Sequence, residues 1–260
     1  MKKIYTKIYG ERNSGTNYLS KLIEANFETI LLLGGRMPRP AIVDLHHSIT
    51  EFQRPGLSHN ELLDIEHKRT LLSEFGWKHC APPIDVINNA PHKDLTLFIA
   101  IAKHPAFWAR SLLKRPYNPQ GVKRVGFSEF IRHPWSMAER DNLGDAEAGN
   151  PIAMWAAKVA RYMDLARVTD DFIKIRYEDL ILDTGGHLDE IGRFLRKKHD
   201  EAYQNPHGAV KIDDEPRAIE FYRRKYDLAS LPEQFEEADL AFIHEQVPAG
   251  VLEFFGYERP

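Results

Sequence analysis

Between Gly10 and Thr16 the chain reads Gly-Glu-Arg-Asn-Ser-Gly-Thr, a turn set between a β-rich run and a helix-like one. In such a turn, backbone N–H groups and the positive end of the following helix dipole meet an anion. Ser14 and Thr16 add hydroxyls, Asn13 and Asn17 add amides, and Arg12 adds charge. Four residues separate Gly10 from Gly15, as in a nucleotide-triphosphate loop, but Thr16 follows Gly15 directly and the lysine of GxxxxGK[ST] is missing. The turn suits a phosphate group and lacks the usual cation of ATP chemistry. Three more polar groups each follow a short apolar run: Lys78-His79, Lys103-His104 and Arg176-Tyr177-Glu178-Asp179. A kinase or NTPase would place an Asp at one of these ends to help hold Mg²⁺. Here the ends carry Lys103 and Arg176, a choice that favours direct neutralisation of an anion without a metal.

These groups need a scaffold that gathers them. Short apolar runs alternate with longer amphipathic stretches, which predicts an α/β fold with a central, mainly parallel sheet flanked by helices. Strands are expected near Lys3–Tyr9, Thr29–Leu33, Gly76–Cys80, Thr96–Ala102 and Phe172–Arg176. Helices are expected over Thr16–Asn26, Pro105–Lys114, Pro151–Thr169, Gly186–Lys197 and Glu233–Val247, with Pro105 where a first helical turn tolerates it. Ligands of an open parallel sheet bind beyond the carboxyl ends of its strands, the edge to which all four polar groups belong. The Gly- and Pro-rich stretch 34–75 reads as an irregular insertion followed by a short helix, and 115–150 as a loop-rich lid or rim. One domain over 1–260 accounts for the whole pattern.

Composition narrows the partners. Lys and Arg number 35 against 38 Asp and Glu, so no global basic field draws nucleic acid or an anionic membrane. Locally, Leu95–Ser128 has no Asp or Glu and carries Lys103, Arg110, Lys114, Arg115, Lys123 and Arg124, which suits an anionic partner such as a carbohydrate, while Trp77, Phe107 and Tyr117 would suit a flatter, apolar one. The single cysteine, Cys80, excludes an intramolecular disulfide framework. No stretch approaches the ~20 apolar residues of a membrane span, and the first residues lack an apolar leader core. A soluble, cytoplasmic protein is expected; oligomeric state is not legible.

Taken in order, the motifs resemble the sulfotransferases that use 3′-phosphoadenosine 5′-phosphosulfate (PAPS), which have a three-layer P-loop-type fold. Arg12-Asn13-Ser14-Gly15-Thr16-Asn17-Tyr18-Leu19 resembles their 5′-phosphosulfate loop, and Trp77-Lys78-His79 the segment bearing their catalytic histidine. Lys103-His104-Pro105 followed by Ser111 is similar to their 3′-phosphate motif, with Lys where the family usually has Arg. Trp155 to Tyr162, Ile175-Arg176-Tyr177-Glu178-Asp179-Leu180 and Phe255-Gly256-Tyr257 resemble later pieces. The glycine-rich basic C-terminal motif of the cytosolic members is absent, with Arg223-Arg224-Lys225 as a substitute for it.

The resemblance implies transfer of a sulfuryl group from PAPS to a hydroxyl or amine of a small molecule or glycan, with no metal. In that scheme Arg12, Asn13, Ser14, Gly15, Thr16 and Asn17 hold the 5′ end, and Lys103 and Ser111 the 3′-phosphate. His79 is the base and Lys78 steadies the leaving oxygen. Two alternatives stay open: an atypical P-loop kinase needing Mg²⁺ and ATP, and a non-catalytic protein that keeps the nucleotide pocket. Plainer roles compete residue by residue. The loop could be an ordinary βα turn, Arg110 and Lys114 a solvated helix face, and His79 a structural histidine. Trp108 and Trp155 are expected in the core, the Tyr177-Glu178-Asp179 turn as a helix cap and buttress. His46, His47 and His59 have no metal-site pattern around them.

Overall fold

The computed structural model describes residues 2–34, 59–117, 125–199, 202–206 and 219–258. Strand β1 (Tyr5–Tyr9) leads into helix α1 (Thr16–Asn26), followed by the short strand β2 (Ile30–Leu31). Helix α2 (His59–Glu74) precedes strand β3 (Thr96–Ala102) and helix α3 (Pro105–Lys114). Helix α4 (Pro151–Val168), strand β4 (Phe172–Arg176) and helices α5 (Tyr177–Leu182) and α6 (Thr184–Phe194) follow. Helix α7 (Ile219–Lys225) opens the last part of the chain.

The four strands form one parallel sheet in the order β2-β1-β3-β4, flanked by helices. The fold is α/β, as the alternation of runs implies. β3 lies between β1 and β4, with Tyr9 opposite Ala100 and Ala102 opposite Arg176. All seven of its residues are buried, which is why it reads as an unbroken apolar run rather than an alternating one. The register brings the ends of β1, β3 and β4 to one edge, so the turn after Tyr9, the pair Lys103-His104 and Arg176 emerge together.

The strand expected at Gly76–Cys80 is absent: 75–80 is a turn. Phe75 and Gly76 take φ of 56° and 73°, left-handed values that no strand accommodates. Side chains from one face of β1 hold this turn. Lys7 donates to the carbonyls of Glu74 and Gly76, and Tyr9 Oη donates to Phe75 O at 2.7 Å. The helix expected over Glu233–Val247 is broken into Leu231–Gln234 and Glu237–Gln246, because Phe235 is extended and packs against Phe107 and Phe127. The helix expected to run to Lys197 stops at Phe194, and Arg196–Lys197 pair antiparallel with Phe27–Glu28. The helix after the first insertion is 16 residues long rather than short. Much of that insertion, with His46 and His47, lies outside the described residues. In the second loop-rich stretch, Phe127–Arg132 is helical and Trp135–Ser136 pair with Glu147–Ala148.

Among the described residues no helix is long and apolar enough to cross a membrane. Trp108 and Trp155 are fully buried, as expected of core residues.

Candidate anion-binding site

A pocket of about 360 Å³ opens at the carboxyl edge of β1, lined by Arg12, Asn13, Thr16, Asn17, Leu33, Gly34, Trp77, Lys78 and His79. Six residues singled out in the sequence therefore meet in one place. Asn13 and Gly15 take φ of 69° and 93°, so the loop reverses twice, with Ser14 N–H donating to Glu11 O at 3.1 Å inside the turn. Gly15 is also the N-cap of α1, and no side chain caps that helix. The first-turn N–H groups and the positive dipole end are thus offered to the pocket at Thr16 and Asn17. Ser14 Oγ is buried without a hydrogen-bond partner among the described residues, an arrangement that costs free energy until something accepts or donates there.

Gly15 has a second reason to be glycine. A Cβ there would run into the Tyr177 ring, and the left-handed φ strains any other residue. Gly15→Ala is expected to destabilise the fold by roughly 1–3 kcal/mol. It should also weaken anion binding at the loop, both measurable by urea unfolding and anion titration.

The turn at 75–80 delivers Lys78 and His79 to the pocket. In a strand, neighbouring side chains face opposite ways, so the absence of a strand here is what lets both line one cavity. Gly10 N–H donates to Lys78 O at 3.0 Å, and Lys78 N–H to Leu33 O at 3.1 Å. Lys78 Nζ donates to Asn17 Oδ1 at 2.7 Å, which aims the ammonium at the start of α1. His79 Nδ1 is 2.6 Å from Gly10 O. A carbonyl only accepts, so Nδ1 carries the proton and Nε2 is the basic atom. Desolvation, with the charges of Lys78 and Arg12, holds this imidazole well below its usual pKa and keeps it neutral.

Arg12 lies between two aromatic faces, 4.7 Å from the Trp77 ring centre and 4.1 Å from that of Tyr117. Its backbone O accepts from Trp108 Nε1 at 2.8 Å. The one acid of the loop, Glu11, is turned away and neutralised. Its carboxylate accepts from the Lys158 ammonium, from Tyr117 Oη at 3.1 Å and from Arg12 N–H at 2.7 Å. Lys158 is fully buried and also donates to Asp141 at 2.6 Å and to His79 O at 2.9 Å. Lys158, Glu11 and Asp141 thus bolt the loop to the His79 turn, a role the sequence analysis did not assign to any of them. Cys80, also buried, has its thiol pushed up to about 12 by desolvation, which leaves it inert as a nucleophile.

Lys103 and Ser111 lie one aromatic ring away from the loop. Lys103 Nζ is 4.2 Å from the centre of the Tyr177 ring, the ring that covers Gly15. Ser111 Oγ donates to Phe107 O at 2.8 Å, and Lys103 Nζ also lies 4.2 Å from the centre of the Tyr226 ring. Neither Lys103 nor Ser111 lines the pocket of Lys78 and His79. Arg110 belongs to the scaffold: it donates to Gln234 Oε1 at 2.7 Å and to Lys225 O at 3.3 Å. Arg223 is likewise committed, to Ile181 O and Leu182 O. Lys123 and Arg124 lie outside the described residues.

The Tyr177-Glu178-Asp179 turn buttresses the edge. Buried Glu178 accepts from His104 N–H and from Tyr257 Oη, each at 2.9 Å, and Asp179 accepts from Arg176. His104 caps α3, its Nδ1 accepting from Ala106 N–H at 3.3 Å. Burial, then the neighbouring His244, pushes its pKa down to about 3. An unfolded His titrates near 6.5. Above that pH both states are neutral and the stability is intact; as pH falls from there toward 3, the unfolded chain takes up a proton that the folded one refuses. The urea midpoint should therefore drop between pH 7 and pH 5, with His79 acting in the same direction. His104→Asn, which can keep the cap, should flatten that slope.

No protein-family model and no curated protein sequence matches the chain. Among solved structures, the chain is similar to the sulfotransferase domain from the Synechococcus PCC 7002 olefin synthase, at 16% identity and a TM-score of 0.46, over 100% of this chain and 98% of that one.

Proposed function

We propose that the protein is a sulfotransferase that moves a sulfuryl group from PAPS to a hydroxyl or amine acceptor. The observation that carries this reading is the meeting, in one pocket, of an uncapped helix N-terminus, two fixed cations and a neutral histidine whose Nε2 is the basic atom. The pocket lining holds no carboxylate among the described residues, which supports charge neutralisation by Arg12, Lys78 and the loop amides.

In the proposed step the 5′-phosphosulfate rests on the N–H groups of 15–17, with Ser14 and Thr16 hydroxyls and Arg12 around it, while Ser14 N–H stays on Glu11 O. The acceptor oxygen bonds to sulfur as its proton passes to His79 Nε2. The bond from sulfur to the bridging oxygen breaks, and its electron pair leaves on the phosphate of adenosine 3′,5′-bisphosphate, where Lys78 steadies the charge. Lys103 and Ser111 serve the 3′-phosphate, and the acceptor is a small molecule or a glycan.

The test is release of adenosine 3′,5′-bisphosphate from PAPS in EDTA, with a panel of phenol, amine and sugar acceptors. Release above the enzyme-free rate, unchanged by chelation, is the expected result. Binding of PAPS without any release would favour the non-catalytic alternative, and release only with Mg²⁺ would overturn the metal-free scheme.

A further inference from the structure

Arg12 carries the charge of the loop, and among the described residues its guanidinium has no carboxylate within ion-pair distance and makes no hydrogen bond. Its polar contacts run through the backbone, where N–H donates to Glu11 and O accepts from Trp108. What holds the side chain is a pair of rings, Trp77 with its centre 4.7 Å away and Tyr117 with its centre 4.1 Å away. Arg140 lies 5.3 Å from the centre of the same Trp77 ring but is paired with Asp64 at 2.9 Å. Two arginines thus share one indole, the first without a carboxylate partner and the second with one.

Both rings are themselves fixed. Tyr117 Oη donates to Glu11 Oε1 at 3.1 Å, and its ring meets that of buried Trp135 edge-to-face, centres 5.3 Å apart. Trp77 N–H donates to His67 Nδ1 at 3.1 Å, and its ring meets that of His79 edge-to-face, centres 4.8 Å apart. Stacking on a ring uses the face of a guanidinium, whereas its five N–H donors lie in its plane. A carboxylate in the same place would fix Arg12 equally well, but it would take two of those donors and cancel the charge. The pocket would then lose one of the two cations that line it.

We infer that Trp77 and Tyr117 are positioning residues of the donor site: their rings take the place of a carboxylate, fixing Arg12 while leaving its N–H donors and its charge for the 5′ anion of the nucleotide. The inference rests on the donor reading above. With a ring removed, a long and flexible side chain has to be ordered each time the anion binds, and that ordering lowers affinity. Lys103 Nζ, 4.2 Å from the ring centres of both Tyr177 and Tyr226, stands in a setting of the same kind.

Calorimetry in EDTA with adenosine 3′,5′-bisphosphate tests this on Tyr117→Leu, Tyr117→Phe, Arg12→Ala and the double variant of Arg12→Ala with Tyr117→Leu, each checked for folding by circular dichroism. Tyr117→Leu should bind roughly 3- to 30-fold more weakly than the wild type, the range of a cation–ring contact. Tyr117→Phe keeps the ring and should recover most of that loss without the bond to Glu11. In the Arg12→Ala background, Tyr117→Leu should cost less than about twofold more, which the double-mutant cycle reads directly. Should Tyr117→Leu not fold, the cycle is run with Trp77→Leu, the other ring, under the same expectations. Wild-type affinity in the ring-deleted variant, or an equal loss with and without Arg12, overturns the inference alone. A loss in Tyr117→Phe as large as in Tyr117→Leu assigns the effect to the Glu11 bond and overturns it as well. Absence of bisphosphate binding by a folded wild type overturns the donor reading and this inference together.

Discussion

His79→Ala is expected to lower turnover roughly 10²- to 10⁴-fold, the range associated with removal of a positioned general base, while the protein still binds adenosine 3′,5′-bisphosphate. The split between chemistry and binding follows from the geometry. His79 donates Nδ1–H to Gly10 O, so the basic Nε2 belongs to a residue that lines the pocket, whereas the loop amides and Lys78 that would grip phosphate come from other positions. His79→Asn separates base from scaffold, because an amide can still donate to Gly10 O but cannot accept a proton at neutral pH. If Asn restores turnover to near the wild-type rate, His79 is a structural residue and the proposed base is wrong. The imidazole is held below its usual pKa, so turnover should show no loss on the acid side near pH 6.5 that is attributable to protonated free His79. A pH profile of kcat/KM checks that point.

Lys158→Met is expected to cost about 3–5 kcal/mol of stability, the range found when one partner of a buried ion pair is removed. Lys158 bridges Glu11 and Asp141 with no solvent exposure, and both carboxylates are buried as well. Deleting the ammonium strands two acids in an apolar setting, and each must then take up a proton or find water. Lys158 also holds the carbonyl of His79, so the loop and the catalytic turn should loosen together. Urea unfolding at pH 7 measures the loss. A midpoint within experimental error of the wild type would mean that water or another cation replaces Lys158.

How far the site could be read from sequence depends on chain separation. The loop is contiguous, and its glycine, hydroxyl and amide residues announce an anion site without further structure. Lys78 and His79 are adjacent, but a strand over 76–80 would have sent their side chains to opposite faces; Gly76 was the signal that a turn was required, since its φ of 73° is left-handed. The sheet edge was legible because β3 runs apolar from Leu97 to Ala102 and Lys103 follows it directly.

The Lys158 network was not legible. Glu11 and Lys158 stand 147 positions apart, and in the sequence Lys158 looks like a solvated charge on an amphipathic helix. Its apolar helical neighbours Met154, Trp155, Val159 and Tyr162, all buried, are the only local hint that this lysine points inward. Tyr226 was hidden for a similar reason: its ring meets Lys103 across elements distant in the chain, and nothing in Tyr-Arg-Arg-Lys-Tyr marks the second tyrosine. Arg110, by contrast, offered a misleading signal. It belongs to a basic stretch suited to an anionic acceptor, yet its guanidinium is spent on Gln234 and Lys225 and stacks on Phe107 and Phe235.

The measurement that tests the donor site most directly is calorimetric titration of adenosine 3′,5′-bisphosphate in EDTA, set beside ATP with Mg²⁺ and repeated for Ser14→Ala and Lys103→Ala. Micromolar, metal-independent binding that both substitutions weaken is the expected result. Absence of binding, or a preference for ATP with Mg²⁺, would contradict the sulfotransferase reading and put an atypical kinase in its place.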